Sequence, residues 1–246
     1  MDIAAFAPPP LPLLQSSSPA TLYLRGEDAA SAASLVNYAA EASGLFGNMG
    51  GTAAFIAGGL VPLSSFAAPK VSPSDHKSLK RLKQIHYFCA IISLVSNLIA
   101  VMYATTARNM LSETVVAPTT SLKSLLLGEY ALFWTGCNAH FVFGLCGFAV
   151  TLGIDVWLGV GGAAGRAVAC GVSSAVLLMI SIVNTAVTSG DTAVGGSVLS
   201  IFFKYGSLLL SAMWNEGRIL VFASFALAVA AAILAVNAVM GDHTQD

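Results

Sequence analysis

Charged residues avoid five long stretches of this chain: residues 42–69, 84–107, 131–154, 167–190 and 219–241. Each exceeds the roughly 20 apolar residues that carry a helix across about 30 Å of hydrocarbon. Only 9% of the 246 residues are charged while 56% are hydrophobic, and the mean hydropathy is +0.79. A water-soluble surface cannot be built from that supply of polar groups. The fold class that follows is an all-α polytopic membrane bundle of about five spans, near 45–63, 85–105, 131–153, 168–187 and 219–240. The lipid bilayer is its first expected partner. Eleven basic against twelve acidic residues, with no basic patch interleaved by aromatics, argue against nucleic acid.

Between the first two spans lie Lys70, Lys77, Lys80, Arg81 and Lys83, five of the eleven basic residues. By the positive-inside rule this loop faces the cytosol, or the stroma if the membrane belongs to a plastid. Five spans then place the N-terminus outside and the C-terminus inside. Trp134, Trp157, Trp214, Tyr87, Tyr103 and Tyr130 fall near the expected span ends, the position of an interfacial aromatic belt.

The segment 197–214 is the exception to the pattern of uncharged spans, because Ser197, Ser200, Lys204, Ser207 and Ser211 recur every three or four residues and form one polar stripe. Lys204 at the bilayer centre costs roughly 2.5–3.5 kcal/mol, and eight Val, Leu, Ile and Phe residues return roughly 2.4–4.8. With four serines added, the expectation is an amphipathic helix in the interface with Lys204 turned to the headgroups.

Residues 1–30 lack periodicity and hold five of the nine prolines, which predicts a flexible leader before the membrane domain of residues 31–246. Within that leader, Ala4-Ala5-Phe6-Ala7-Pro8-Pro9 and the hydroxyl-rich residues 15–21 resemble presequences of complex-plastid algae, which have a cleavage boundary of the Ala-Phe-Ala-Pro type. The resemblance covers about a tenth of the chain and implies a plastid membrane. It departs in having only Met1 to Ala5 before the phenylalanine, where such presequences carry a hydrophobic signal.

Small residues mark the packing faces. Gly44, Gly47, Gly51, Ala54 and Gly58 recur at spacings of three and four in the first span, a stripe that lets another helix backbone approach closely. Gly136 and Gly144 flank His140 by four residues on either side and clear the helix face above and below its imidazole. Two readings follow. A flat tetrapyrrole could lie there with His140 as axial ligand, or the glycines could admit a neighbouring helix while the histidine hydrogen-bonds within the bundle. His86 sits at the basic edge, about 15 Å from His140 in depth, which argues against bis-histidine ligation.

The spans also carry one asparagine each: Asn48, Asn97, Asn138, Asn184 and Asn237. Asn97, Asn138 and Asn184 fall at similar depth, and either a polar binding point or interhelical hydrogen-bond glue would use them. Asp155 is expected to pair with Arg166 across the turn formed by Gly159, Gly161, Gly162 and Gly165. Cys89, Cys137, Cys146 and Cys170 form no C-x-x-C pair, and neither they nor His76, His86, His140 and His243 offer metal-ligand spacing, so no metal is expected.

Asn97-Leu98-Ile99-Ala100-Val101-Met102, followed by the helix start from Glu129 to Trp134, resembles the second and third membrane helices of Orai calcium channels over less than a fifth of the chain. Those channels carry an acidic selectivity ring on the pore helix. The glycine-striped first span here has no carboxylate, so no site is carried across. Without a Ser/His/Asp, Cys/His or paired-carboxylate constellation, the expected function is a non-catalytic accessory or scaffold subunit of a larger membrane complex. The alternative is a channel or small-solute transporter in which the 197–211 stripe lines a pathway.

Overall fold

The computed structural model describes residues 35–65, 69–189, 193–194, 196–216 and 219–240. The leader of residues 1–30 lies outside them. Among the described residues there are seven helices and no strand: α1 (Ala39–Ser65), α2 (Lys77–Glu113), α3 (Leu122–Leu127), α4 (Ala131–Val160), α5 (Gly162–Ser189), α6 (Val198–Glu216) and α7 (Ile219–Met240). Four of them, α1, α2, α4 and α5, are long and apolar enough to cross a membrane. This chain is a helical integral membrane bundle. The sequence of α7 is likewise free of charge over its 22 residues.

The helices overrun the expected spans wherever the flanking sequence stays helix-prone. α2 has 37 residues, about 55 Å of rise, against roughly 30 Å of hydrocarbon. Its basic first turns and its last turns therefore extend past the hydrocarbon at one or both ends. His76 caps its start, accepting the Ser78 amide, and the Thr114 amide closes its end on Met110 O. Between α2 and α4, the short α3 is capped by Ser121, whose hydroxyl accepts the Ser124 amide at 3.1 Å. An isolated bridge between Val36 and Thr119 ties the approach to α1 onto this connection. The expected four-glycine turn is tighter than anticipated. Gly159 stays in α4, Gly162 and Gly165 belong to α5, and the reversal is made by Gly161 and Gly162 at φ of 69° and 57°, values that favour glycine.

α2, α1 and α4 form the centre of the bundle. The inner face of α1 is Ala42, Phe46, Gly50, Ala53, Ala57 and Leu60, recurring every three or four residues. Gly50 is its contact point, since a Cβ there would come within 2.8 Å of Ala104 Cβ on α2. Phe46 meets Trp134 of α4 edge to face at 5.4 Å. The stripe singled out in the sequence lies elsewhere, roughly a third of the way around the helix. Gly44, Gly51 and Gly58 have no atom within 4 Å of a would-be Cβ, Ala54 is exposed, and Gly47 faces the Arg108 guanidinium. A small-residue period is the same whether the face packs inside the bundle or lies open on its outside.

The expected aromatic belt also divides. Trp134 and Tyr130 are buried in the protein and Tyr103 packs against the core, whereas Tyr87, Trp157 and Trp214 are exposed. Nearness to a span end is shared by both groups, so hydropathy could not separate them.

Candidate functional site

The polar residues of the bundle gather on the seam between α2 and α4. Two glycines of α4 bring α2 close enough to build it. Gly144 accommodates the Asn97 amide, and its carbonyl accepts the Ser93 hydroxyl. At Gly147, a Cβ would meet Ser93 Cβ at 2.8 Å. Cys137 Sγ adds a contact to Ala100 O at 3.5 Å. A side chain at Gly144 or Gly147 would push the helices apart.

His140 stands in the same seam with partners from two other helices. Its Nδ1 is 3.0 Å from Ser96 Oγ on α2, and its Nε2 is 2.9 Å from Tyr205 Oη on α6. Tyr205 Oη is in turn 3.0 Å from Tyr103 Oη on α2, and the Tyr103 ring stacks on the imidazole with centroids 6.1 Å apart. Gly136 makes the room, because a Cβ there would lie 2.9 Å from Tyr103 Cζ and 3.0 Å from Tyr205 Cε2. The two clearings around His140 are thus filled by Tyr103 and Tyr205 at Gly136 and by Asn97 at Gly144. With both ring nitrogens engaged, this geometry does not fit an axial ligand of a tetrapyrrole.

The direction of the hydrogen bonds follows from their end. Ser96 Oγ also lies 3.0 Å from the His140 carbonyl, which can only accept. The single serine hydrogen therefore points to that carbonyl, and Ser96 Oγ accepts from Nδ1–H. A neutral imidazole protonated at Nδ1 presents Nε2 as an acceptor, so Tyr205 donates to it and accepts from Tyr103. Neutrality is the form a low-dielectric interior favours for an unpaired ring. One ordered chain, Tyr103 to Tyr205 to His140 to Ser96, joins α2, α4 and α6.

At the basic edge, fully buried His86 Nε2 lies 3.8 Å from Asp155 Oδ1. This replaces the expected Asp155–Arg166 pair. Asp155 projects toward α2, whereas Arg166 lines a cleft on another face of α4 with Trp157. The contact also joins the start of α2 to the end of α4, which sets the 70–83 loop and the Gly161 turn at one edge. Just outside the membrane, Lys83 Nζ bonds Asp75 Oδ2 at 2.8 Å and Lys70 O at 2.9 Å, while the Ser72 amide donates to Asp75 at 2.7 Å. The Lys83 ammonium, then the Ser72 amide, hold the Asp75 carboxyl below its ordinary range.

Asn97 and Asn138 do not hydrogen-bond to each other. Asn97 and Asn138 are buried, yet each donates to its own helix, to Ser93 O at 2.9 Å and Trp134 O at 2.8 Å. Asn48 and Asn237 are exposed, and the side chain of Asn184 lies outside the described residues. Helical period fixes their depth but not their rotamers.

On α6, Val198, Ile201, Phe202 and Tyr205 pack toward the core, and Phe202 meets Phe143 edge to face at 6.1 Å. The polar stripe lies about a third of a turn around the helix from that face, with Lys204 half-buried, and is largely satisfied within its own segment. Ser197 and Ser200 exchange amide-to-hydroxyl bonds at 3.1 and 3.2 Å as a helix cap, and Lys204 Nζ reaches Val194 O at 3.3 Å. The lysine thus binds the segment entering its own helix, where headgroup contact was expected. Among the described residues, no three His, Cys, Asp or Glu side chains gather in metal-binding range. No known protein family, curated protein or solved structure matches the chain.

Proposed function

We propose that this chain is a non-catalytic membrane subunit that assembles laterally, through the outward face of α1, with other membrane polypeptides or further copies of itself. The observation that carries the reading is the open stripe of Gly44, Gly51 and Gly58, at each of which an added Cβ would meet no atom within 4 Å among the described residues. Glycine in a lipid-facing helix forfeits helix propensity and side-chain contact. Both losses are offset when a second helix backbone packs into the groove the glycines leave, and small-residue faces are how membrane helices gain that energy. The polar groups of the seam support the same reading, because Ser96, His140, Tyr103 and Tyr205 are committed to holding three helices together.

The alternative, a channel or small-solute transporter in which the 197–211 stripe lines a pathway, would instead appear as a homo-oligomer that conducts solute. Residence in a plastid membrane rests on the leader alone, and mass spectrometry of the mature N-terminus tests it: an intact Met1 in a non-plastid membrane defeats it. Mild detergent extraction from the native membrane followed by native sizing tests the subunit reading. Comigration with other polypeptides, or a stable non-conducting homo-oligomer, is the expected result. A monomer, or a homo-oligomer that conducts solute in liposomes, overturns it.

A further inference from the structure

We propose that the cleft between the end of α4 and the start of α5 is a binding site for an anionic glycerophospholipid, with its phosphate on Arg166 and an acyl chain along the cleft. The cleft has a volume of about 390 Å³. Val150, Ile154 and Trp157 line it from α4, and Arg166, Ala169 and Ser173 from α5. The two helices run antiparallel from the Gly161 turn, so Trp157 lies opposite Arg166 at the membrane edge and Val150 opposite Ser173 about 10 Å deeper. One end is cationic and interfacial; the rest is apolar and partly open. That is the chemistry of a lipid, which joins an anion to a hydrocarbon chain, and not of a soluble anion or an apolar peptide.

Arg166 is available for the role. It is exposed, makes no ion pair among the described residues, and no acidic side chain lines the cleft, because Asp155 is turned to His86 on another face of α4. Side chains on a helix tilt toward its N-terminus, which carries the guanidinium from the fifth residue of α5 toward the headgroup level. The first amides of α5 and its dipole add positive potential at the same edge. The exposed ring of Trp157 supplies the interfacial wall.

The test uses the full-length protein in nanodiscs of equal parts phosphatidylglycerol and phosphatidylcholine, with native mass spectrometry of the lipid retained after controlled delipidation. Phosphatidylglycerol should be enriched about fivefold over the bulk ratio, the increment of one guanidinium at the headgroup level. Arg166→Gln should abolish that enrichment, whereas Lys80→Gln in the basic loop should leave it. Cys170→Trp, which fills the cleft, should lower retention of both lipids without altering helix content by circular dichroism. Equal retention of the two lipids by the wild type, equal effects of R166Q and K80Q, or displacement of the lipid by inorganic phosphate would each overturn the proposal.

Discussion

His140 has a hydroxyl at each ring nitrogen, and the order of donors around it makes those hydroxyls unequal. Nitrogen-15 spectra of the histidines should report an Nδ1–H tautomer. Tyr205→Phe should shift the Nε2 resonance by removing its donor, and Tyr103→Phe should leave the tautomer intact. An Nε2–H ring would contradict the assigned direction. Each lost hydrogen bond should cost about 0.6 kcal/mol and no more than about 1.7. His140→Leu therefore gives a folded, mildly destabilised protein, and the purified wild type should be colourless; a visible band lost in that variant would reinstate a bound tetrapyrrole. Gly136→Leu should do more damage than the histidine change, because the Tyr103 ring lies 2.9 Å from the position of its Cβ. The sequence exposed the Gly136–His140–Gly144 spacing, since it lies within two turns of one helix. It could not expose Tyr205, which is 65 residues away and is positioned by the docking of α6.

Helix ends obey rules more local than those of helix faces. The loop before α2 is clipped by Lys83, Asp75 and Ser72, and the clip has a definite pH dependence. Because the folded carboxyl titrates below the ordinary aspartate value of 3.8, the clip is complete above that value and opens as pH falls through the lower folded value. The Ser72 amide resonance should stay fixed down to pH 3.8 and move only below it. Movement around neutral pH, or acid movement that persists unchanged after Asp75→Asn, would contradict this. Charge-free windows disclosed where spans run because hydrocarbon excludes ions, and α1, α2, α4 and α5 each cover one of the indicated spans. Caps and short turns were less legible. Ser197 and Ser200 read as members of a stripe because a cap is a backbone contact with no period, and α3 is too short to show one.

At the scale of the molecule, the His86–Asp155 contact fixes the 70–83 loop and the Gly161 turn at one edge, leaving α3 at the other. Membrane-impermeant thiol labelling should reach Ser74→Cys and Ala163→Cys from one face and Lys123→Cys from the opposite face. Labelling of positions 74 and 123 from the same face would contradict the arrangement of α2. The central claim concerns α1, whose two glycine faces have different owners. Gly50 belongs to the contact with α2, and Gly51 to the outward stripe. Leucine at each position, followed by native sizing and thermal melting of the extracted protein, separates them. Gly50→Leu should lower the melting temperature sharply, whereas Gly51→Leu should shift the assembly to monomer with helix content unchanged and melting lowered only by what assembly contributes. An assembly that survives Gly51→Leu intact would show that the open face of α1 is not its interface.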